Sequence, residues 1–399
     1  MTDEEFDFDL PRAQLRLLLE AFSRIEDDRE PCKVMYPLDE VLFLVVCGTI
    51  CSCDDFDDIV LWGEQNLAFL RRFSEFYFGV PGAAWLRALL NRIDPALFAD
   101  CFEAWIAALW PERHERIAID GKTARRTHDR KRGLKSLHTL SAYASSARLV
   151  LAQRCVPEKA NEITAIPDLL DQLARNGQLE GAVVTLDAMG CQIAIAQKII
   201  DHGAHYVLSL KGNQPTLEAD VLDYFRTAPA HEILATTTLE KGHGRIETRH
   251  YKAAAHSGWI ASDRSYPGAP RFPGITTLVQ VHRTTEQAGD IKNEVSLYLS
   301  SLPPDIQRIA AAIRGHWSVE SLHWSLDVTF NEDQSRYRRG NGAKNMALVR
   351  RFAFNLLRQT TRKTGKRPTS KAVASLKSKR KIASWSPQFL LQVLQLQPR

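Results

Sequence analysis

Three acids in this sequence stand where a carboxylate is costly unless something pairs with it. Asp120 closes the apolar run of "IAIDGK" (117–122) and Asp187 that of "VVTLDAMG" (183–190), while Glu320 lies between Trp317 and Trp324 in "HWSVESLHW" (316–324). An acid at a strand end, or one expected on the same helical face as two tryptophans, needs solvent, a proton or a cation. Oxygen ligands suit Mg2+ or Mn2+. Such an ion would reverse the sign of a three-acid cluster and could clamp the attacking and leaving oxygens of a phosphodiester. Lys122 and the basic run after it, "TARRTHDRKRGLK" (123–135) with Arg125 and Arg126, then read as phosphate contacts beside the cleft.

To bring these acids together, the chain must set two strand ends side by side and lay a helix against them. "RIAIDG", "HTLSAYAS" and "RLVLAQRCV" predict three short antiparallel strands. After them "NEITAIPDLLDQLAR", "GAVVTLDAMG", "CQIAIAQKIIDHG" and "AHYVLSLKG" alternate helix, strand, helix, strand. Such alternation implies right-handed parallel crossovers, and three antiparallel strands followed by them are the layout of an RNase H-like core. In that layout the strands of Asp120 and Asp187 are neighbours. "PDIQRIAAAIRGHWSVESLHWSLDVTF" predicts the helix of Glu320, with His316, Trp317, His323, Trp324 and Asp327 on its face.

The fold class expected is α/β: an RNase H-like core with a β-rich insertion, preceded by an all-helical amino-terminal domain. Residues 1–110 carry five stretches of apolar residues near a 3.6 period, and Asp94-Pro95 marks a helix start. The core is expected over 111–230 and 303–365, the insertion over 231–302, and a basic tail over 366–399. Within the insertion, "YPGAPRFPG" (266–274) reads as a loop.

At 399 residues the chain exceeds one ordinary core, and 44% hydrophobic with 25% charged residues is the composition of a soluble globular protein. The start "MTDEEFDFDL" is acidic where a secretory leader is basic, and "VLFLVVCGTI" is half of the about 20 residues that span a bilayer. A cytoplasmic, nucleoid-associated protein with no membrane partner is expected. Seven scattered cysteines make no disulfide framework, and "CGTICSC" (47–53) lacks paired zinc knuckles, so buried thiols are expected there. Residues 334–399 hold 17 Lys and Arg and no acid, which leaves −12 of the chain's net +5 for residues 1–333. In "RYRRGNGAKNMALVRRFAFNLLR" these charges interleave with an apolar stripe (Met346, Val349, Phe352, Leu356), which predicts an ordered basic face for a polyanion.

"IAIDGKTAR", "PEKANEI", "VVTLDAMGCQ", "SLKGNQP", "HGRIETR" and "HWSVESLHWSLDVTFNED" resemble, in this order, the DDE transposases of bacterial insertion sequences, in particular the H-repeat-associated type. "YPLDEVLFLVVCGTICSCDDFDDI" and "DPALFADCFEAWI" resemble that family's associated amino-terminal domain, so that the likeness covers roughly residues 35 to 360. The resemblance implies Asp120, Asp187 and Glu320 as an acidic triad, and magnesium-dependent strand cleavage and transfer. It adds Lys211, Asn213 and Gln214 as DNA contacts. The implied partners are the element's terminal inverted repeats and target DNA, with at least a homodimer to synapse two ends. Many relatives place a Tyr, an Arg and a Lys around the Glu, where this chain has Ile313, His316 and Asp327. Arg314, His316 or His323 then take the phosphate contact.

A nuclease or resolvase would share the triad chemistry, and an idle, DNA-binding descendant would share the sequence. Two Glu-x-x-His matches, Glu247 to His250 and Glu320 to His323, have di-iron spacing, but "GRIETRHYKA" reads as a strand and four apolar helices are missing. Glu247 could also replace Glu320 as third ligand, although a helix, not the insertion, brings an acid to the sheet end. "DGKT" fails as a phosphate loop because position 116 is arginine, and no G-x-S-x-G elbow supports an acyl hydrolase.

Overall fold

The computed structural model of the protein describes residues 13–110, 115–156, 162–242, 244–255, 272–360 and 373–394. The chain forms two compact units. One comprises Glu112–Thr123 and His138–Leu322, the other Met1–Pro111, Ala124–Leu137 and His323–Arg399.

The first unit is built on one nine-stranded sheet. In chain order its strands are β1 (Arg116–Ala124), β2 (Leu137–Ala144), β3 (Leu149–Val156), β4 (Val183–Leu186), β5 (His205–Leu210), β6 (Ile233–Gly242), β7 (Arg245–Ala255), β8 (Thr277–Gln287) and β9 (Asp290–Ser300). Their spatial order is β3-β2-β1-β4-β5-β9-β8-β7-β6. β2 and β3 are antiparallel, whereas β1, β4 and β5 run parallel, so the first five strands have the expected RNase H-like arrangement. Every residue of β4 is buried, as befits a central parallel strand covered on both faces. Helices α7 (Glu162–Arg175) and α8 (Ile193–Asp201) make the crossovers, α7 burying Ile166, Leu169, Leu170 and Leu173 on one stripe.

Segment 231–302 does not fold apart from this sheet. β9 pairs antiparallel with β5, from Val207 opposite Ser300 to Leu210 opposite Leu297, and β8, β7 and β6 follow outward. Along β8 and β9 the halves nearer β5 are buried and the other halves half-buried or exposed, so these two strands meet the core at one end. Most of "YPGAPRFPG" lies outside the described residues. α9 (Pro215–Thr227), not anticipated from the sequence, buries Leu217, Val221 and Phe225 at helical spacing.

α10 (Ile306–His316) starts at Asp305, whose carboxylate accepts the N–H groups of Gln307 and Arg308, each at 3.1 Å. Its Ile309, Ala310, Ala312 and Ile313 pack on Val183, Val207, Tyr251 and Val279, which fixes the helix end against the sheet. The helix does not run straight through Glu320. It ends at His316, Trp317 caps it, and α11 (Ser318–Trp324) begins anew before a π-turn at Ser325–Thr329.

The second unit is helical: α1 (Ala13–Ser23), α2 (Leu38–Ile50), α3 (Phe56–Gln65), α4 (Leu67–Leu70), α5 (Ala83–Arg92), α6 (Pro95–Leu109), α12 (Gly342–Gln359), α13 (Leu376–Trp385) and α14 (Pro387–Leu394). Asp94 caps α6 by accepting the Ala96 N–H at 2.8 Å. The apolar stripe of α12 is core here: Phe352 lies 4.8 Å from Phe102, 4.9 Å from Trp105 and 5.3 Å from Phe22. Cys47, Cys51 and Cys53 are buried, and burial pushes the Cys53 thiol up to about 12, as expected for packing thiols. No described helix is long and apolar enough to cross a membrane.

The basic segment only partly forms the expected surface. Arg350, Arg351, Lys379 and Arg380 are buried in this unit. Arg351 pairs with Glu332, and Arg380 donates to the Thr49 carbonyl at 2.9 and 3.1 Å and to Asp54 at 2.9 Å. Arg351, Lys379 and Arg380 thus satisfy carbonyls and acids of this unit instead of facing a polyanion. "RKTGKRPTSK" (362–371) lies outside the described residues.

Candidate active site

The register of β1 on β4 runs Arg116↔Val183, Ile117↔Val184, Ala118↔Thr185. Two steps further it sets Asp120 opposite Asp187, one residue beyond the end of β4. The Asp187 Oδ1 accepts the N–H groups of Met189 and Gly190 at 3.0 and 3.2 Å, and the Asp120 Oδ1 that of Gly121 at 2.8 Å. Both acids line one cavity of ≈ 290 Å³, and Glu320 lines it from α11. Glu320 is exposed, and Trp317 is 39% and Trp324 62% exposed, so the acid meets solvent beside the cavity and the two tryptophans do not enclose it. Glu247 is absent from the cavity. It is buried on β7 against Arg249, with Arg245 at 3.5 Å and Arg283 at 3.8 Å.

Of the nine basic or amide side chains expected at DNA, Lys211 and His316 line this cavity. His316 is held by a 2.9 Å hydrogen bond between its Nδ1 and the Thr185 hydroxyl. Burial lowers its pKa against the pull of Asp187, so at neutral pH it carries no charge to offer a phosphate. Lys122 is 6% exposed and presents no ammonium at the surface. Arg314 is committed to Glu240 at 2.8 Å, which that pairing holds below the usual carboxylate range. Asn213 donates to the Ala188 carbonyl and Gln214 to that of Cys191, so both amides brace the loop behind Asp187. Arg125 and Arg126 are exposed in the helical unit, where Arg125 meets Asp333 at 3.3 Å, and half-buried His323 falls in that unit too.

Sequence reasoning missed a device behind Asp120. His138 on β2 bonds Glu162 of α7 at 2.6 Å and the Thr123 hydroxyl at 2.7 Å, with the His138 and Glu162 side chains both buried. The signal was Glu162 in "PEKANEI", to which no role had been given.

Among the described residues, no three His, Cys, Asp or Glu side chains are gathered closely enough to hold a metal ion. The donor set nonetheless suits a hard divalent cation: carboxylate oxygens from two strand ends and a helix, around one cavity. Three carboxylates repel one another, and a cation of that kind is what draws such a set together.

A nine-stranded sheet whose first five strands have RNase H-like order, with three acids around one cavity at its parallel strand ends, defines the class of RNase H-like proteins. Residues 111–356 match the family described as Transposase DDE domain, and residues 19–106 the DDE_Tnp_1-associated family. The chain belongs to the DDE transposases. It is similar to "H repeat-associated putative transposase YhhI" of Escherichia coli strain K12, 34% identical over 388 residues, 96% of this chain and 98% of that protein. "Putative transposase YncI" of Escherichia coli O157:H7 is 35% identical over 353 residues, 86% of this chain and 88% of its own. A short relative from strain K12, "Inactive transposase YbfQ", matches 17% of this chain at 34% identity.

Proposed function

We propose that the protein cleaves DNA at the ends of its insertion sequence and transfers the freed strands into target DNA, with Asp120, Asp187 and Glu320 as the catalytic acids. The observation that carries this reading is that Asp120 and Asp187, from neighbouring parallel strands, and Glu320 line one cavity. The three carboxylates would hold Mg2+ or Mn2+, which when bound activates the attacking hydroxyl and neutralises charge on the phosphodiester. The backbone N–H groups of Met189 and Gly190 fix the Asp187 carboxylate, and Asn213 and Gln214 brace the loop that carries them. Exposed Lys211 at the cavity offers a cation to the scissile phosphate. Water attack would cut the strand at the element's end, and the freed 3′-hydroxyl would attack the target. The substrates are double-stranded terminal repeats and target DNA, and joining two ends calls for a homodimer working at the nucleoid.

Cleavage of a supercoiled plasmid carrying the element, with Mg2+, tests this. Nicking at the element ends that Asp187→Asn reduces by at least about 100-fold supports the triad. Equal DNA binding by both proteins with cutting by neither identifies an idle DNA-binding descendant instead.

A further inference from the structure

The helical unit contains a larger cleft, of ≈ 1080 Å³, that shares no residue with the cavity of the three acids. Six cations line it: Arg87 from α5, Lys131 and Arg132 from the run after β1, and Arg336, Arg338 and Arg339 from the chain before α12. Three acids line it too, but each is engaged. Asp54 takes Arg380 at 2.9 Å and the Asn331 amide at 2.6 Å, Asp55 caps α3 through the Asp58 N–H, and Asp129 accepts the Lys131 N–H at 3.1 Å. Lys131, Arg336 and Arg339 are exposed and have no anionic partner among the described residues. The cleft is therefore a net cationic surface.

Its wall is built rather than loose. The "GNG" turn at 340–342 is pressed onto the end of α5: a Cβ on Gly340 would come within 2.8 Å of the Asn91 carbonyl, and one on Gly342 within 2.4 Å of the Asn91 side chain. Asn341 and Asn345 donate to carbonyls of Leu90 and Ile93 at 2.8 to 3.2 Å. Phe56 and Tyr337 meet at 5.0 Å on the same cleft, and Arg338 is tied to the Arg126 carbonyl at 3.1 Å. These contacts hold the three arginines of 336–339 against α5 at defined positions.

A pocket for a small molecule is mostly apolar with a few polar groups. Here six cations from three chain segments surround an open cleft, more than one phosphate could use. A duplex presents a charge about every 1.7 Å along its axis and can engage them together. We propose that this cleft is a second DNA site of the protein, gripping the sugar-phosphate backbone of duplex DNA without reading its bases. The choice of DNA rests on the function proposed above. The cleft also gives the amino-terminal helical region a role, since α3 and α5 form part of it.

The test is fluorescence anisotropy of the full-length protein on labelled duplexes, one carrying the element's end and one of unrelated sequence, over a series of salt concentrations. The triple variant Lys131→Gln/Arg336→Gln/Arg339→Gln should bind both duplexes at least about tenfold more weakly at 0.1 M salt. Its slope of log affinity against log salt should be shallower by about 2 to 3. Circular dichroism of the variant should match the parent, because the three side chains are exposed. An unchanged affinity and slope overturns the proposal, as does preferential loss on an RNA duplex of the same length. Asp187→Asn separates the two readings. Loss of cutting in that variant with normal binding by the triple variant sinks the cleft alone. Continued cutting by it alongside weak binding by the triple variant sinks the triad alone.

Discussion

A Cβ on Gly121 would lie 2.4 Å from Oε1 of Glu162 and 2.6 Å from Nε2 of His138. Those two atoms bond each other in a buried pair, so the glycine beside Asp120 has to be bare for sheet and α7 to close. Gly121→Ala should therefore cost about 1 to 3 kcal/mol in urea unfolding and slow plasmid cleavage, because Asp120 moves with its neighbour. Gly212→Ala, on the Lys211 loop where a Cβ meets nothing within 4 Å, should change stability by no more than about 0.5 kcal/mol. Equal losses at the two positions would remove the steric account. At this scale the sequence told much about the two aspartates, because strand ends follow from the apolar alternation and the crossover. For Glu320, periodicity gave the face shared with Trp317 and Trp324 but not whether that face meets core or solvent. The sequence also could not tell that Asn213 and Gln214 would turn to the protein's own carbonyls.

Among the elements, the crossover strands and helices were readable because each carries one uninterrupted period. The extension of the sheet was not, since the pairing of β5 with β9 joins residues about ninety apart and no local pattern announces it. The basic stretch after Gln334 misled for a related reason: charge on an amphipathic helix looks solvated until its packing is known. Lys379 on α13 illustrates the consequence. It is buried, donates to the carbonyls of Leu357 and Thr360, and burial lowers its pKa from 10.5 to about 8. Between pH 8 and 10.5 the unfolded chain holds a proton that the folded one has released, so this residue adds stability as pH rises through that window. The gain is at most about 3 kcal/mol, and solvent near the group reduces it. Urea midpoints for the parent and Lys379→Met should thus diverge from pH 8 to pH 10, the parent gaining. Parallel curves would mean that the amine titrates normally.

For the whole molecule, net charge is a poor guide to the DNA surface. Residues 334–399 carry 17 of the chain's 52 cations and no acid, yet among the described residues four of these cations are enclosed among helices. Affinity should still fall steeply with salt, because each phosphate contact releases about 0.9 counterions. Only exposed cations can contribute to that slope. The Arg351 and Glu332 pair provides the comparison: both are buried and bonded to each other, so removing one partner alone would strand a charge at a cost of about 3 to 5 kcal/mol. Removing both as Arg351→Met/Glu332→Leu strands neither member of the pair, takes one opposite and one like charge from beside buried Arg350, and should keep the fold within about 2 kcal/mol of the parent. Its salt slope on duplex DNA should match the parent's, although it lacks one of the basic segment's cations. A slope shallower by about 1 would show that this guanidinium reaches a phosphate, and the division of the basic segment into interior and DNA-facing charge would then be wrong.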